Sequence, residues 1–451
     1  MRLTNVRGFH GERAVDLDLK RPDSTHAGWT VVAGRNGSGK TSLLRGIALA
    51  ISGPAVARTL VPGFENWISV GRQSAEAAVR LVYDRTLDRT GGTAERPPVE
   101  SFWAGLEWVA PTSVDHPPRR GAQPALREYE AAADAELVPR QGPWQDNPTG
   151  WFCAAYGPFR RLVGGSGDAQ RPMLTPGPVA RLATLFNEDA SLAEGVSWLI
   201  EEHLRSLEGR PGAEETKNVA LDILRDGLLP DGYGVGRVDS DGLWVTKDGN
   251  RFPLREMSDG YRTVAALVVD LIKQIHEAYG ELMAESMDGK MTINAPGVVI
   301  IDEIDAHLHV SWQKRIGEWL KTHFPRVQFI VTTHSPYICQ AADPGGLISL
   351  PGPDEMRPPR VVDQDLYERV VFGSGDDAVL SDLFGLETPY SERAEALRRE
   401  LVRLEVAVLA GTAGAAQVER YRELARTLTS SPSARVDEVA ARLRPTAEPG
   451  A

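Results

Sequence analysis

The residues that could do chemistry most directly lie near the amino terminus, where glycines, a lysine and a threonine recur at fixed spacing. Residues 34–41 read GRNGSGKT and follow the G-x-x-x-x-G-K-[ST] pattern of a phosphate-binding loop. Glycines let the backbone curl around phosphates, Lys40 supplies a catalytic positive charge, and Thr41 supplies a hydroxyl ligand for Mg²⁺. The residues expected to bind the nucleotide are Gly34, Asn36, Gly37, Ser38, Gly39, Lys40, Thr41 and Ser42.

Two further apolar segments end in residues suited to phosphate chemistry. Val298–Ile301 is followed by Asp302 and Glu303, and Val327–Thr333 is followed by His334. Because buried parallel strands deliver their ends to one edge of a sheet, Asp302 is expected to hold Mg²⁺ and Glu303 to polarise the attacking water. His334 is predicted to be a catalytic contact to the γ-phosphate, although a strand-end histidine is also a common structural hydrogen-bonding group.

The elements around these residues are those that a phosphate site needs. Trp29–Ala33 has the β-branched character of a buried strand, and apolar residues recur at helical spacing over residues 43–51. A second amphipathic helix begins within MSDGYR, residues 257–262. Ser258 stands at its N-cap position, and capping alone would explain a serine there.

The order of four motifs, GRNGSGKT, MSDGYR, VVIIDE and TTHSP, resembles that of ATP-binding-cassette (ABC) ATPases of the SMC, RecF and OLD type. These include ATPases of bacterial anti-phage systems, such as the Septu- and retron-associated ones. The resemblance covers roughly residues 1–350 and implies an α/β ABC-ATPase head with a mixed central sheet, an antiparallel β subdomain and a helical lobe, plus a C-terminal helical tail. It also implies that Ser258 and Gly260 bind the γ-phosphate of ATP held by a second protomer, so that hydrolysis needs a homodimer.

Two segments bear on the subfamily. Ile304–His309 looks like the histidine-bearing version of OLD-like and defence ATPases, whereas SMC and RecF proteins usually carry aspartate at the position of His309. His307 and His309 could alternatively be metal ligands, but two imidazoles without a third donor make a weak site. Trp151–Arg161 is similar to the segment before the sensor loop of these ATPases, yet it lacks their glutamine. The Toprim nuclease domain of OLD proteins is not expected, because the later acidic residues are predicted to be loop and helix-cap groups: Asp363, Asp365, Asp376 and Asp377.

Composition changes along the chain and predicts its division into parts. These are an ATPase lobe with the phosphate loop over 1–84, an irregular insertion over 85–150, the remainder of the head over 151–350, a helical C-terminal extension over 351–429 and a disordered tail over 430–451. The middle region of the chain shows no internal repeat.

Overall composition restricts the class of protein. The 451 residues include 42% apolar ones, which suffice for a real core, and the net charge of -12 argues against wholesale coating of nucleic acid. Two cysteines give no disulfide framework. Since the start of the chain has no apolar signal region and no stretch approaches the roughly 18 apolar residues that span a bilayer, we expect a soluble cytoplasmic protein without a membrane partner.

Two functions from different classes are consistent with these features. The first is an ATP-gated regulator: ATP closes a homodimer, alone or within a higher oligomer, and closure controls a separately encoded effector, as the resemblance to anti-phage ATPases implies. The second is a RecF-like clamp on duplex DNA, which requires a basic surface. The candidates for that surface are few: Arg119, Arg120, Arg160, Arg161 and Lys217. A transporter ATPase is disfavoured, because transport cassettes lack the RecF-like segment Asn5–Phe9.

Overall fold

A mixed central sheet organises the protein. The computed structural model describes residues 1–90, 100–111, 123–130, 137–160, 175–386 and 388–428. In spatial order the strands of the central sheet are β16 (Arg360–Val361), β15 (Leu347–Ser349), β3 (Gly28–Ala33), β14 (Val327–Thr333), β13 (Gly297–Ile301) and β7 (Cys153–Tyr156). Neighbouring strands are parallel except at the β15–β16 edge. The carboxyl ends of β3, β13 and β14 therefore meet at one edge of the sheet.

Both faces of this sheet are covered, which explains the unbroken apolar runs of its strands. Val32, Ile300 and Ile330 pack on one face, in a core shared with the helix that follows the phosphate loop. Their chain neighbours Val31 and Ile301 point the other way, into a second core. The alternation follows directly from the period of two along a strand.

The first face is covered by a helix and a second, antiparallel sheet. Its strands, in spatial order, are β2 (Val15–Asp16), β1 (Arg2–Thr4), β4 (Ser74–Val82), β5 (Ser101–Val109) and β6 (Ala125–Glu128). Strand β5 pairs with β4 along its full length, and its Phe102 and Trp108 are buried. The interval 85–150, predicted to be an irregular insertion, thus contributes strands to this sheet in its described residues.

The second face is covered by helices and smaller sheets. Strands β8 (Gly234–Asp239), β9 (Gly242–Lys247) and β10 (Asn250–Pro253) form one antiparallel sheet, and β11 (Ala284–Met287) pairs with β12 (Lys290–Ile293). The helices of the described residues are α1 (Lys40–Leu60), α2 (Leu137–Gln141), α3 (Pro178–Phe186), α4 (Ala193–Leu207), α5 (Ala213–Arg225), α6 (Asp259–Tyr279), α7 (Val310–Gln313), α8 (Ile316–His323), α9 (Pro336–Cys339), α10 (Gln364–Val371), α11 (Gly375–Val379), α12 (Glu392–Leu409) and α13 (Ala415–Thr427). Helix α6 is the amphipathic helix predicted after Ser258. The α/β class, with a mixed central sheet, an antiparallel β part and a helical part, is confirmed.

Helix α1 is long and apolar enough to cross a membrane by length and composition, with a mean hydropathy of 1.3 over its most apolar window. The sequence-based expectation of no such stretch was therefore too strict. Of that window, 61% is buried inside the protein, and Gly53, with φ of +82°, and Pro54 break the helix. Helix α1 is the core helix between the two sheets.

The chain divides into two compact units, Met1–Gly385 and Leu386–Ala451. The second unit contains α12 and α13, which are joined by an ion pair in which Arg420 Nε lies 2.8 Å from Glu400 Oε1. No residue of α12 is buried. The tail predicted to be disordered, 430–451, lies outside the described residues. The predicted division at 84, 150, 350 and 429 stays a prediction.

Candidate functional site

The predicted phosphate loop connects β3 to α1 at the carboxyl edge of the central sheet. Gly39 has a φ of +100°, and a Cβ at this position would lie 2.7 Å from the ring of Phe9. Only glycine combines this backbone conformation with so close a neighbour. The backbone N–H groups at the start of α1 are thereby left facing the loop, where phosphate oxygens can accept from them.

Two polar side chains of the loop are placed to meet a phosphate chain. Lys40 Nζ donates to the carbonyl oxygens of Gly34, at 2.8 Å, and of Arg35, at 3.3 Å. Desolvation lowers the pKa of Lys40, and the carboxylates led by Asp302 partly oppose this shift. Ser38 Oγ is buried and has no hydrogen-bond partner among the described residues. A buried polar atom without a partner is costly, which suits a site completed by a ligand.

The predicted metal ligands lie together. Thr41 Oγ1 donates to Asp302 Oδ2 at 2.7 Å, and Thr332 Oγ1 donates to the other carboxylate oxygen of Asp302. Mg²⁺ in nucleotide sites takes one or two protein oxygens, with waters and phosphate oxygens completing its shell, so Thr41 and Asp302 fit this ion. Among the residues that the structure describes, no group of three or more His, Cys, Asp and Glu could hold a metal. His307 and His309 accordingly do not form a metal centre with other described side chains.

Glu303 directly follows Asp302, the predicted metal ligand, and adopts an uncommon backbone conformation. Its φ is +46°, in the left-handed region that non-glycine residues rarely occupy. Its N–H donates to Thr332 Oγ1 at 2.8 Å, so a hydroxyl on the neighbouring strand β14 supports the turn. Residues held in such conformations are concentrated at functional sites, which is consistent with the predicted role of Glu303.

His334 lies at the end of β14, on the same edge of the sheet, and its side chain is exposed. Its backbone N–H donates to Asp305 Oδ1 at 3.3 Å, and Thr333 Oγ1 donates to the same oxygen at 2.5 Å. Desolvation and the charge of Lys40 lower the pKa of His334. Asp305, which ties the loop after β13 to the end of β14, was not predicted as part of the site.

Ser258 and Gly260, here called the signature residues, line a cavity whose lining does not include the phosphate loop. Ser258 has the extended backbone of an N-cap, but its side chain makes no capping hydrogen bond, so its exposed hydroxyl stays available. A Cβ on Gly260 would lie 2.6 Å from the carbonyl oxygen of His307. These residues share a cavity of about 180 Å³ whose lining also includes His309 and Trp312. The lining of this cavity contains no residue of the phosphate loop.

Several side chains that the sequence singled out lie elsewhere. Arg160, a candidate for a basic surface, is 2% exposed, and that assignment is wrong. Lys217 Nζ donates to Ser206 Oγ, at 3.3 Å. Arg119, Arg120 and Arg161 lie outside the described residues. As predicted, Asp363 caps α10 and Asp377 forms a capping box with Ser374 at the start of α11.

Two buried arginines, Arg13 and Arg160, donate hydrogen bonds to backbone carbonyl groups around the site. These contacts were not predicted from the sequence. Arg13 donates to the carbonyl oxygens of Gly352 and of Glu355, the latter at 2.8 Å, and approaches the carbonyl oxygen of Ser38 at 3.4 Å. Arg160 donates to backbone carbonyls around Glu303. Their partners are far away in sequence, so only a three-dimensional structure reveals these contacts.

Comparison with known proteins places the same segments among ATPases. Residues 1–88 match a family model described as "AAA domain", and residues 219–340 match one described as "AAA domain, putative AbiEii toxin, Type IV TA system". The first range contains the phosphate loop, and the second contains the signature residues, Glu303 and His334.

Curated relatives include the Septu protein PtuA of Bacillus mycoides (strain KBAB4), 24% identical over 343 residues, covering 73% of this chain and 37% of the relative. The Retron Ec83 probable ATPase of Escherichia coli is 33% identical over 120 residues, covering 27% of this chain and 21% of the relative. The chain thus spans well under half the length of the curated relatives it matches. Among solved structures, an SmcHead bound to the C-winged helix domain of ScpA matches with a TM-score of 0.44 and 16% identity, covering 80% of this chain and 96% of that one. The resemblance to AAA-type, Septu and retron ATPases that the motif order predicted is confirmed.

Proposed function

We propose that this chain binds and hydrolyses ATP with Mg²⁺, acts as an ATP-enclosing homodimer, and thereby regulates a separately encoded effector. One observation supports the chemistry above all others: Thr41 Oγ1 of the phosphate loop lies 2.7 Å from Oδ2 of Asp302, which directly follows β13, with Glu303 next in the chain. This contact joins residues separated by 261 positions, and it supports the arrangement of loop hydroxyl and strand-end carboxylate that nucleotide hydrolysis needs.

The proposed roles follow from the placement of each side chain. The N–H groups of residues 37–42 and Lys40 bind the phosphates, while Thr41 and Asp302 would hold Mg²⁺, which neutralises charge on the β- and γ-phosphates. Glu303 orients the attacking water and accepts its proton. His334, whose pKa is lowered by desolvation and by the charge of Lys40, donates a hydrogen bond to the γ-phosphate.

The homodimer is inferred from the position of Ser258, which lines a cavity that contains no residue of the phosphate loop. Ser258 has an exposed hydroxyl without a capping bond, and it lies in a cavity separate from the phosphate loop. A second copy of the chain, placed head to tail, would bring Ser258 and Gly260 to the γ-phosphate bound by the first. Assemblies larger than a dimer are compatible with this arrangement.

The effector is inferred from the relatives, which carry Septu and retron names. We propose a role in anti-phage defence in the cytoplasm, where ATP-dependent closure controls a partner protein. The alternative, a RecF-like clamp on DNA, receives little support from the described basic candidates, because Arg160 is buried and Lys217 is bonded to Ser206.

Copurification tests the partner directly. Tagged E303Q protein is purified with ATP and Mg²⁺ from the native host, and K40A protein, which lacks the phosphate-binding charge, serves as the control. We expect a stoichiometric effector protein with E303Q whose activity changes when ATP is removed. Recovery of duplex DNA in place of a protein would contradict the regulator and favour the clamp.

A further inference from the structure

Arg160 is buried against the backbone of the proposed catalytic turn. Its Nη1 donates to the carbonyl oxygens of Gly157 and Asp302, both at 2.8 Å. Its Nη2 donates to the carbonyl oxygens of Glu303, at 3.0 Å, and of Ile304, at 3.3 Å. One guanidinium thus holds three consecutive carbonyls of the turn that carries the proposed base.

Burying a charged guanidinium is unfavourable in free energy, and a residue that only filled space in the core would not need the charge. A buried charge is costly unless it is paired or hydrogen-bonded, and Arg160 is 2% exposed. Desolvation lowers the pKa of Arg160 to about 10, and the carboxylates of Asp302, Asp305 and Glu303 limit the shift. The side chain therefore stays charged at neutral pH, and its donors satisfy carbonyl oxygens at the strand end.

The turn needs such support because Glu303 occupies the left-handed region with φ of +46°. This conformation is strained for a residue with a Cβ. The carbonyls of residues 302–304 converge on the two terminal nitrogens of Arg160, and the planar fork of a guanidinium fits such a set better than the single ammonium of lysine. Fixing the backbone on both sides of Glu303 also fixes the direction in which its side chain leaves the turn.

We propose that Arg160 is a positioning residue for the hydrolytic step, acting through the backbone of residues 302–304 on the carboxylate of Glu303. The inference rests on the proposed function for its kinetic consequence. It assigns a structural role to the segment 157–160, which lacks the glutamine found in the resembling ATPases. Nucleotide binding is expected to be independent of Arg160, because the phosphate loop has its own contacts.

The test compares R160K with a matched variant, R21K. Arg21 is also a buried arginine, but it donates to Thr30 Oγ1 at 3.1 Å and pairs with Asp343, away from the turn. We expect R160K to lower kcat about 10-fold or more while KM for ATP and the Kd of a non-hydrolysable ATP analogue stay within about 3-fold. R21K should keep the kcat of the parent. In the E303Q background R160K should cause little further loss, because the base that it positions is already removed.

Parent-like kcat in R160K would overturn the proposal, and so would a loss of ATP affinity in proportion to kcat. Hydrogen exchange provides a second measurement that does not need turnover. The N–H of Glu303 donates to Thr332 Oγ1 and that of Ile304 to the carbonyl oxygen of Thr332, at 2.8 and 3.0 Å. We expect these two amides to exchange about 10-fold faster in R160K than in the parent and R21K. Unchanged exchange would contradict positioning even if the parent protein proved to have no ATPase activity.

Discussion

Thr332 shows how the geometry of the site depends on groups that need not touch the nucleotide. Its hydroxyl donates to Asp302 and accepts from the N–H of Glu303, while its carbonyl oxygen accepts from the N–H of Ile304. One residue of β14 therefore fixes both of the carboxylate-bearing residues that follow β13. A threonine suits this place because its β-branched side chain fits a buried strand and still carries a hydroxyl.

We predict that the free energy of unfolding depends on pH because of the buried carboxyl group of Asp270. It is a buried carboxyl group on α6, bonded to Tyr156 and Gln274 and near Lys273 and Glu277. Burial raises the pKa of Asp270 to about 6 in the folded protein, whereas the unfolded chain loses this proton near pH ~4. Stability is therefore lost as pH rises from about 4 to about 6 and is constant above.

In the variant D270N this loss disappears. We expect D270N to be more stable than the parent at pH 8 by ~1–3 kcal/mol, with an advantage about 1 kcal/mol smaller at pH 5, measured by urea unfolding. D377N is the control with the opposite sign, because hydrogen bonds from Ser374 lower the pKa of Asp377. A pH-independent difference between D270N and the parent would refute the assignment.

At the scale of elements, the close contact between α6 and the loop after β13 leads us to predict the stability and ATP turnover of G260A. Gly260 lies in the first turn of α6, where alanine would ordinarily stabilise a helix by ~0.5–1 kcal/mol. A Cβ at this position would meet the carbonyl oxygen of His307 at 2.6 Å, so we expect G260A to destabilise the protein by ~1–3 kcal/mol. It should also lower ATP turnover, since it displaces the signature residues.

Denaturant unfolding and steady-state ATPase assays measure both effects. G8A is a suitable control, because a Cβ on Gly8 would have nothing within 4 Å and Gly8 does not need a left-handed backbone. If G260A were as stable as the parent or more stable, the loop that carries His307 would have moved aside at no cost in stability, and the prediction would be wrong.

The strands that carry the site could be predicted from sequence because each motif is local: an apolar run followed at once by its polar group. Arg160 could not, because its partners Asp302, Glu303 and Ile304 lie 142 to 144 residues away and an arginine after an aromatic segment suggests a surface. Strand β5 lies within the interval predicted to be an irregular insertion, because the Pro- and Gly-rich residues around it hide its nine-residue pairing with β4. Local patterns determine elements, whereas long-range contacts determine which residues support the site.

At the scale of the whole molecule, two chains are proposed to share each ATP. K40A and S258R chains should each be nearly inactive, because the first lacks a phosphate-binding charge and the second blocks the signature cavity. Mixed in equal amounts, they form heterodimers with one intact composite site, so about a quarter of the parent ATPase activity should return. Activity no greater than the sum of the separate variants would mean that the signature residues do not act across a dimer.

The central claim is tested most directly by single-turnover ATP hydrolysis, measured with Mg²⁺ for the parent and for E303Q. The ATP affinity of both proteins is measured directly in parallel. We predict that the parent hydrolyses ATP and that E303Q is slower by about 10²-fold or more, with ATP affinity within about 3-fold of the parent. Hydrolysis by E303Q at the parent rate would contradict the site as assigned.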